Sequence, residues 1–391
     1  MIETLVVYIG LMFFMAFFAN KSAKLACTLP RRKFHERVYF FIPIVLFSLI
    51  FGFRYGVGID YFGYLDVYLN PDYRMLRFEP AFLGITALCQ RFELGYPVYF
   101  TLLSFFQIFF VSLAFRNHKN VLPFLYVILV ASSLAISGWT NGIRQWMSIC
   151  LFVYALSLYN PNRKKTILLT LFITALCPLF HFSSIVCYVI PFFFIIKTDY
   201  FTSTKVQYIL LIIFIVLHFA GSSFLSSAIK DITSELGMYE HYAEDANYEG
   251  AEKLGIFGAF QYVMYFIIIK FNKDVKNHFS GNPSFGIIYT MGFVGILLNL
   301  LLSSSMMLLR AVLVFDFYYY ILMAFYFEYF YSCRRTRASK AYLYMVLFLF
   351  ISFARPMIYM KKNTTQYVFY FQEDMYSIKE HQRDALDRNV N

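Results

Sequence analysis

The chain predicts an all-α polytopic membrane protein with about twelve transmembrane helices, on three observations. Of its 391 residues, 60% are hydrophobic and only 15% charged, with a mean hydropathy of +0.58, well above a soluble domain. Apolar runs long enough to cross a bilayer recur from end to end. These runs do not alternate with period two, which excludes an outer-membrane barrel, and a helix then satisfies its own backbone in lipid.

In chain order the expected spans are 2–18, 38–53, 96–115, 121–137, 144–159, 166–180, 182–196, 206–224, 255–269, 284–302, 310–330 and 341–358. The stretch 80–90 is too short to cross; Glu79 heads it and Arg91 and Glu93 follow it, so it is placed as a surface or re-entrant helix. Residues 1–360 read as a single transmembrane domain, and 361–391 as a polar tail on the outside with the composition of a disordered segment.

Lys and Arg accumulate on the cytoplasmic side of a membrane, and here they set the orientation. Lys21, Lys24, Arg31, Arg32, Lys33 and Arg37 fill the first loop, and later basic groups fall at Arg116 and Lys119, Arg163 to Lys165, Lys197 and Lys205, Lys270 to Lys276, and Arg334 to Lys340. All lie on one side only if 80–90 does not cross, which places both termini outside. The opposite loops, 54–95 and 225–254, are acidic or mixed. The formal charge of +11 is therefore mostly a topology signal and calls for no nucleic-acid partner.

Other chemistry is excluded by spacing. The six cysteines form no CxxC and have no histidine partner at metal-binding spacing, so neither zinc nor a disulfide framework is expected. No GxxxxGK[ST] is present, and Tyr61 stands where a dinucleotide fingerprint after Gly56 and Gly58 would need its third glycine. No metal-binding DxD pair lies in the first outer loop, and no cofactor is expected. The first span lacks a basic leader and reads as a retained anchor.

What remains is a small set of polar groups where spans meet the outer interface. Arg54 and Asp60 flank the glycines of "FRYGVGIDYFGY", Glu79 opens "EPAFLGI", Arg144 and Gln145 sit in "TNGIRQW", His181 opens "HFSSIV", and Arg310 and Asp316 share "LLRAVLVFDFYYY". Taken singly, any arginine here is explained as well by snorkelling, and most interfacial aromatics by the usual belt. Several arginines with acids at one face point instead to a phosphate or diphosphate, whose oxygens match the forked guanidinium donors. Tyr61, Tyr64, Tyr68 and Trp139 would suit sugar CH faces.

In their order and intervals, "FRYGVGIDYFGY", "FEPAFLGI", "NGIRQWMSICLFVYAL", "HFSSIV" and "LLRAVLVFDFYYYIL" resemble the EpsG-like branch of the Wzy-type polymerases of bacterial O-antigen and capsule repeat units. The resemblance runs from Phe53 to Tyr320. It implies a GT-C-like architecture in the bacterial inner membrane and a glycosyltransferase whose donor and acceptor are undecaprenyl-diphosphate-linked oligosaccharides, with a separate chain-length regulator as partner. On that chemistry Arg54, Arg144 and Arg310 would hold the donor diphosphate, helped by Gln145 and Asp316. One of His181, Asp60 or Glu79 would act as base, His181 being slightly favoured because imidazole accepts a proton near neutral pH; a histidine capping a span end is the plain alternative. An O-antigen ligase, a repeat-unit flippase and, on thinner grounds, a membrane acyltransferase remain open.

Overall fold

A computed structural model describes residues 2–26, 33–70, 78–132, 138–235, 256–282, 284–302, 306–334, 339–358 and 366–372. Among them the architecture is all α. Fifteen α-helices are described: α1 Ile2–Ala26, α2 Lys33–Gly52, α3 Tyr61–Leu69, α4 Pro80–Arg91, α5 Tyr96–Ala114, α6 Leu122–Ala131, α7 Ile143–Ser157, α8 Lys164–Leu176, α9 Ile190–Ile196, α10 Thr204–Glu235, α11 Ile256–Lys270, α12 Asn272–His278, α13 Phe285–Leu302, α14 Met306–Ser332 and α15 Ser339–Ile358. Each of the expected apolar runs contains helix; residues 133–137 of the run 121–137 lie outside the described residues. By length and composition, six helices can cross a membrane: α1, α2, α5, α13, the Val312–Ser332 part of α14, and α15. Shorter apolar helices fill the other runs.

The shorter helices have local causes. Pro178 and Pro191 remove backbone donors within the long run after Lys164, so α8 gives way to 3-10 turns at Cys177–Leu179 and Phe182–Tyr188 before α9 begins. His181 sits between those turns. With 12 residues, α4 is about 18 Å long and falls short of a hydrocarbon core, in keeping with a helix that does not cross.

The sequence reads as one domain through residue 360; by packing the chain divides into two compact units. One comprises Met1–Leu158, Leu169–Ile185 and Leu349–Asn391, the other Tyr159–Leu168 and Val186–Phe348. In the first, α1 packs on α2 and α6, and α5 packs between α2 and α7. Gly52 permits the α2–α5 approach, because a Cβ there would lie 2.5 Å from the Thr101 Cα. In the second unit α13 packs on α14 and α10, and a Cβ on Gly295 would lie 2.3 Å from the Phe315 carbonyl oxygen.

Part of the polar tail has a fixed place. The Tyr55 N–H donates to the Val368 carbonyl at 2.8 Å and the Tyr370 N–H to the Phe53 carbonyl at 2.9 Å, forming an isolated antiparallel bridge between Arg54 and Phe369. Tyr367 is buried; its N–H donates to Thr4 Oγ1 at 3.1 Å and its hydroxyl to the Ile50 carbonyl at 2.6 Å. The segment after the last helix thus joins α1 to the end of α2.

Because the Gly295 contact is to backbone, which cannot yield as a side chain can, Gly295→Leu is expected to destabilise by about 3 kcal/mol or more. Thermal unfolding of the detergent-solubilised protein measures it; an unchanged midpoint would contradict the helix approach described.

Candidate functional site

Four of the sequence stretches singled out above meet in the first unit. After α2 the chain turns through Gly56 (φ 62°) and Gly58 (φ 103°), left-handed conformations that suit glycine. Gly58 is needed for a second reason: a Cβ would lie 2.7 Å from Asn141 Oδ1 and 2.9 Å from the Thr140 carbonyl oxygen. This close approach sets the loop after α2 against the start of α7. There the Asp60 N–H donates to Asn141 Oδ1 at 3.3 Å, and Asp60 Oδ2 accepts the Gly142 N–H at 3.1 Å. Gly142, itself left-handed (φ 59°), is the N-cap of α7, so the carboxylate supplies an acceptor at the positive end of that helix.

Two residues further on, Arg144 projects from α7 toward the head of α4. Its Nη1 donates to Glu79 Oε2 in a close ion pair, and its guanidinium lies 4.5 Å from the Phe78 ring centroid and 5.8 Å from that of Phe82. The other oxygen of Glu79 accepts the Phe182 N–H at 3.1 Å. Both members of the pair are mostly covered, the side chains being 20% and 15% exposed, and Arg144 Nε is buried with no hydrogen bond among the described residues. A guanidinium so held keeps an unspent donor within a partly open ion pair.

His181 is next to the residue that Glu79 binds. Its Nδ1 is 2.7 Å from Ser183 Oγ, and Gln145 Nε2 donates to that same oxygen at 3.2 Å. Below it, Ser148 donates to Ser184 Oγ at 2.6 Å and lies 2.8 Å from the Cys177 carbonyl oxygen, locking the 3-10 turns to α7. Ser183, Ser184, Ser148 and Asn141 were not singled out in the sequence. The adjacent serines of "HFSS", two and three positions after the histidine, are the signal that could have found Ser183 and Ser184.

The structure places several of the expected residues away from this cluster. Arg54, expected on the diphosphate, is 1% exposed: its Nη1 donates to the Phe51 carbonyl and its Nε to the Val57 carbonyl at 3.3 Å, and its guanidinium is 5.2 Å from the Phe100 ring centroid. Burial pulls this guanidinium below its ordinary pKa, an effect offset in part by Tyr61 and its neighbours. Arg54 therefore braces the turn at the end of α2. Tyr61, Tyr64, Tyr68 and Trp139, expected to stack on sugars, are buried instead. Tyr61 stacks on Phe100 and Tyr68 on Tyr99, while Trp139 packs on Trp146 and donates to the Leu129 carbonyl at 2.9 Å. Arg310 and Asp316 belong to α14 in the second unit, where Arg310 is exposed and Asp316 buried. The cluster of the first unit is thus Asp60, Glu79, Arg144, Gln145 and His181, without Arg54.

Glu79→Gln keeps an acceptor for the Phe182 N–H but removes the charge opposite Arg144, and is expected to cost about 1–3 kcal/mol. Glu79→Ala, which removes both acceptors, is expected to cost more in the same thermal unfolding assay. Equal losses in the two variants would count against the double attachment.

Neither a curated protein nor a solved structure matches the chain. A family model does, over residues 37–371, a span that begins at the head of α2 and takes in the strap that pairs with Arg54. It contains the glycine turn, the Arg144–Glu79 pair and the His181 segment alike, and the chain belongs to the EpsG family.

Proposed function

We propose that this multi-pass membrane protein is a glycosyltransferase that polymerises oligosaccharide repeat units carried on undecaprenyl diphosphate, at the outer face of the bacterial cytoplasmic membrane. EpsG membership suggests a membrane polysaccharide polymerase. The single observation that carries the finer reading is the partly covered Arg144, whose Nε is unspent beside Glu79 while His181 lies next to the segment that Glu79 holds. The one-sided distribution of basic loops supports the outward placement.

In this reading Arg144 binds oxygens of the donor diphosphate. As the bond between the anomeric carbon and the phosphate oxygen breaks, negative charge grows on the leaving diphosphate, and a fixed guanidinium stabilises it without having to reorganise. The terminal sugar hydroxyl of the acceptor forms the new bond to that carbon and surrenders its proton to a base. Of the three candidates, Glu79 is engaged at both oxygens and acts as the orienter of Arg144, and Asp60 fastens the α7 terminus. His181 is the base, its ring held by Ser183, which Gln145 holds in turn. The carrier diphosphate departs with the electron pair. A chain-length regulator would act as a separate partner.

The test is the surface glycan ladder of a deletion strain complemented with wild-type or variant protein at matched membrane levels. Wild type should restore a ladder, whereas Arg144→Ala should leave single repeats and cut polymerisation by about 10²–10³-fold. Arg144→Lys should also be strongly impaired, since an ammonium lacks the forked donors. Loss of all glycan, single repeats included, would replace the polymerase reading with a ligase or flippase.

A further inference from the structure

The second unit contains a circuit of polar and aromatic side chains at helix positions that otherwise read as membrane core. Asp316 on α14 is buried, and its Oδ1 is 3.5 Å from Asn299 Nδ2 on α13. The carbonyl of Leu300, the next residue, accepts from His218 Nδ1 on α10 at 2.9 Å. The His218 ring centroid lies 6.4 Å from that of Tyr262 on α11, and Tyr262 lies 6.2 Å from Tyr265. Tyr265 meets Tyr319 edge-on at 5.6 Å and accepts a hydrogen bond from Gln261 Nε2 at 2.6 Å. Tyr319 stands three residues after Asp316 on α14, on the same face, so the circuit closes.

Two features point to a ligand. Tyr319 is 2% exposed, yet its hydroxyl has no hydrogen-bond partner among the described residues. A carboxylate within a span is costly and is kept where it has a task; among the described residues the Asp316 carboxylate has one long hydrogen bond, to Asn299. Asn299, His218, Gln261 and Tyr262 are half-buried among the described residues.

The chemistry of the set selects the ligand class. None of the described contacts that close the circuit involves a lysine or arginine, so within this set of groups an approaching phosphate would meet the Asp316 carboxylate and neutral amide, imidazole and phenol groups. Carboxylate, amide and phenol groups instead match the donors and acceptors of a polyol, and the rings offer faces for its CH groups. We propose that this circuit is a saccharide subsite, in which Asp316 and Asn299 take neighbouring hydroxyls of one sugar, Tyr319 a third oxygen, and Tyr262 a sugar face. The source of that sugar, a lipid-linked repeat unit, rests on the polymerase reading.

The experiment uses the full chain in lipid nanodiscs and two probes: the repeat-unit oligosaccharide of the source cells, freed from its lipid carrier by mild acid, and inorganic pyrophosphate. Calorimetry should show that Asp316→Asn weakens oligosaccharide binding about 10-fold or more, and Tyr319→Phe about 3-fold or more, each being the loss of a buried hydrogen-bonding group. Pyrophosphate affinity should be unchanged in both variants. Unchanged oligosaccharide affinity in both variants, no binding by wild type, or loss of pyrophosphate binding in Asp316→Asn would overturn the subsite. If Asp316→Asn does not fold, Tyr319→Phe, which keeps its ring, decides alone. A ladder that depends on the gene while oligosaccharide binding ignores Asp316 removes the subsite and spares the polymerase; a ladder independent of the gene with Asp316-dependent binding does the reverse.

Discussion

The carboxylate of Glu79 holds the first unit's polar cluster together. It binds a side chain from α7 through one oxygen and a backbone N–H from the segment after α8 through the other, and it stands immediately before Pro80, where α4 starts. Without it, Arg144 would be a largely covered cation between two phenylalanine rings, a costly state even with cation–π attraction. Both oxygens of one residue therefore fix the relative placement of chain segments about 100 positions apart in sequence.

Hydropathy made the helical runs legible, because lipid demands that each spanning segment satisfy its own backbone. Residue 80–90 length and its polar flanks likewise marked α4 as a helix that does not cross. The fate of individual polar groups was harder to read. Arg54 looks like any interfacial arginine until α5 brings Phe100 to its guanidinium and the segment around Phe369 pairs with its backbone. Tyr61 and Tyr68 have the composition of a sugar platform, but Phe100 and Tyr99 take their faces first. Such outcomes depend on partners remote in sequence, which neither spacing nor composition encodes. Arg144 and Glu79 could be named from their positions at helix heads, whereas their pairing could not.

Taken separately, the two polar clusters, one in each unit, handle polarity in different ways. The first concentrates ionised groups and gives them ionised or backbone partners, as with Arg144, Glu79 and Asp60. The second sets Asp316 among amide, imidazole and phenol groups that share hydrogen bonds and ring contacts. Charge pairing suits a site where charge must develop during a reaction; neutral donors suit one that must recognise a polar but uncharged shape.

The bond from the Tyr367 N–H to Thr4 joins residues 363 positions apart, nearly the two ends of the chain. A ribosome feeds helices into the membrane in order, so α1 and α2 are inserted long before this partner exists. The turn braced by Arg54 then has to wait, with its strand edge uncovered, until the last helix has been released. Completion of this turn is for that reason a late event in biogenesis, and a chain stalled or clipped after α15 would be fully inserted yet would lack the bonds that residues 367–370 make to Thr4, Ile50, Phe53 and Tyr55.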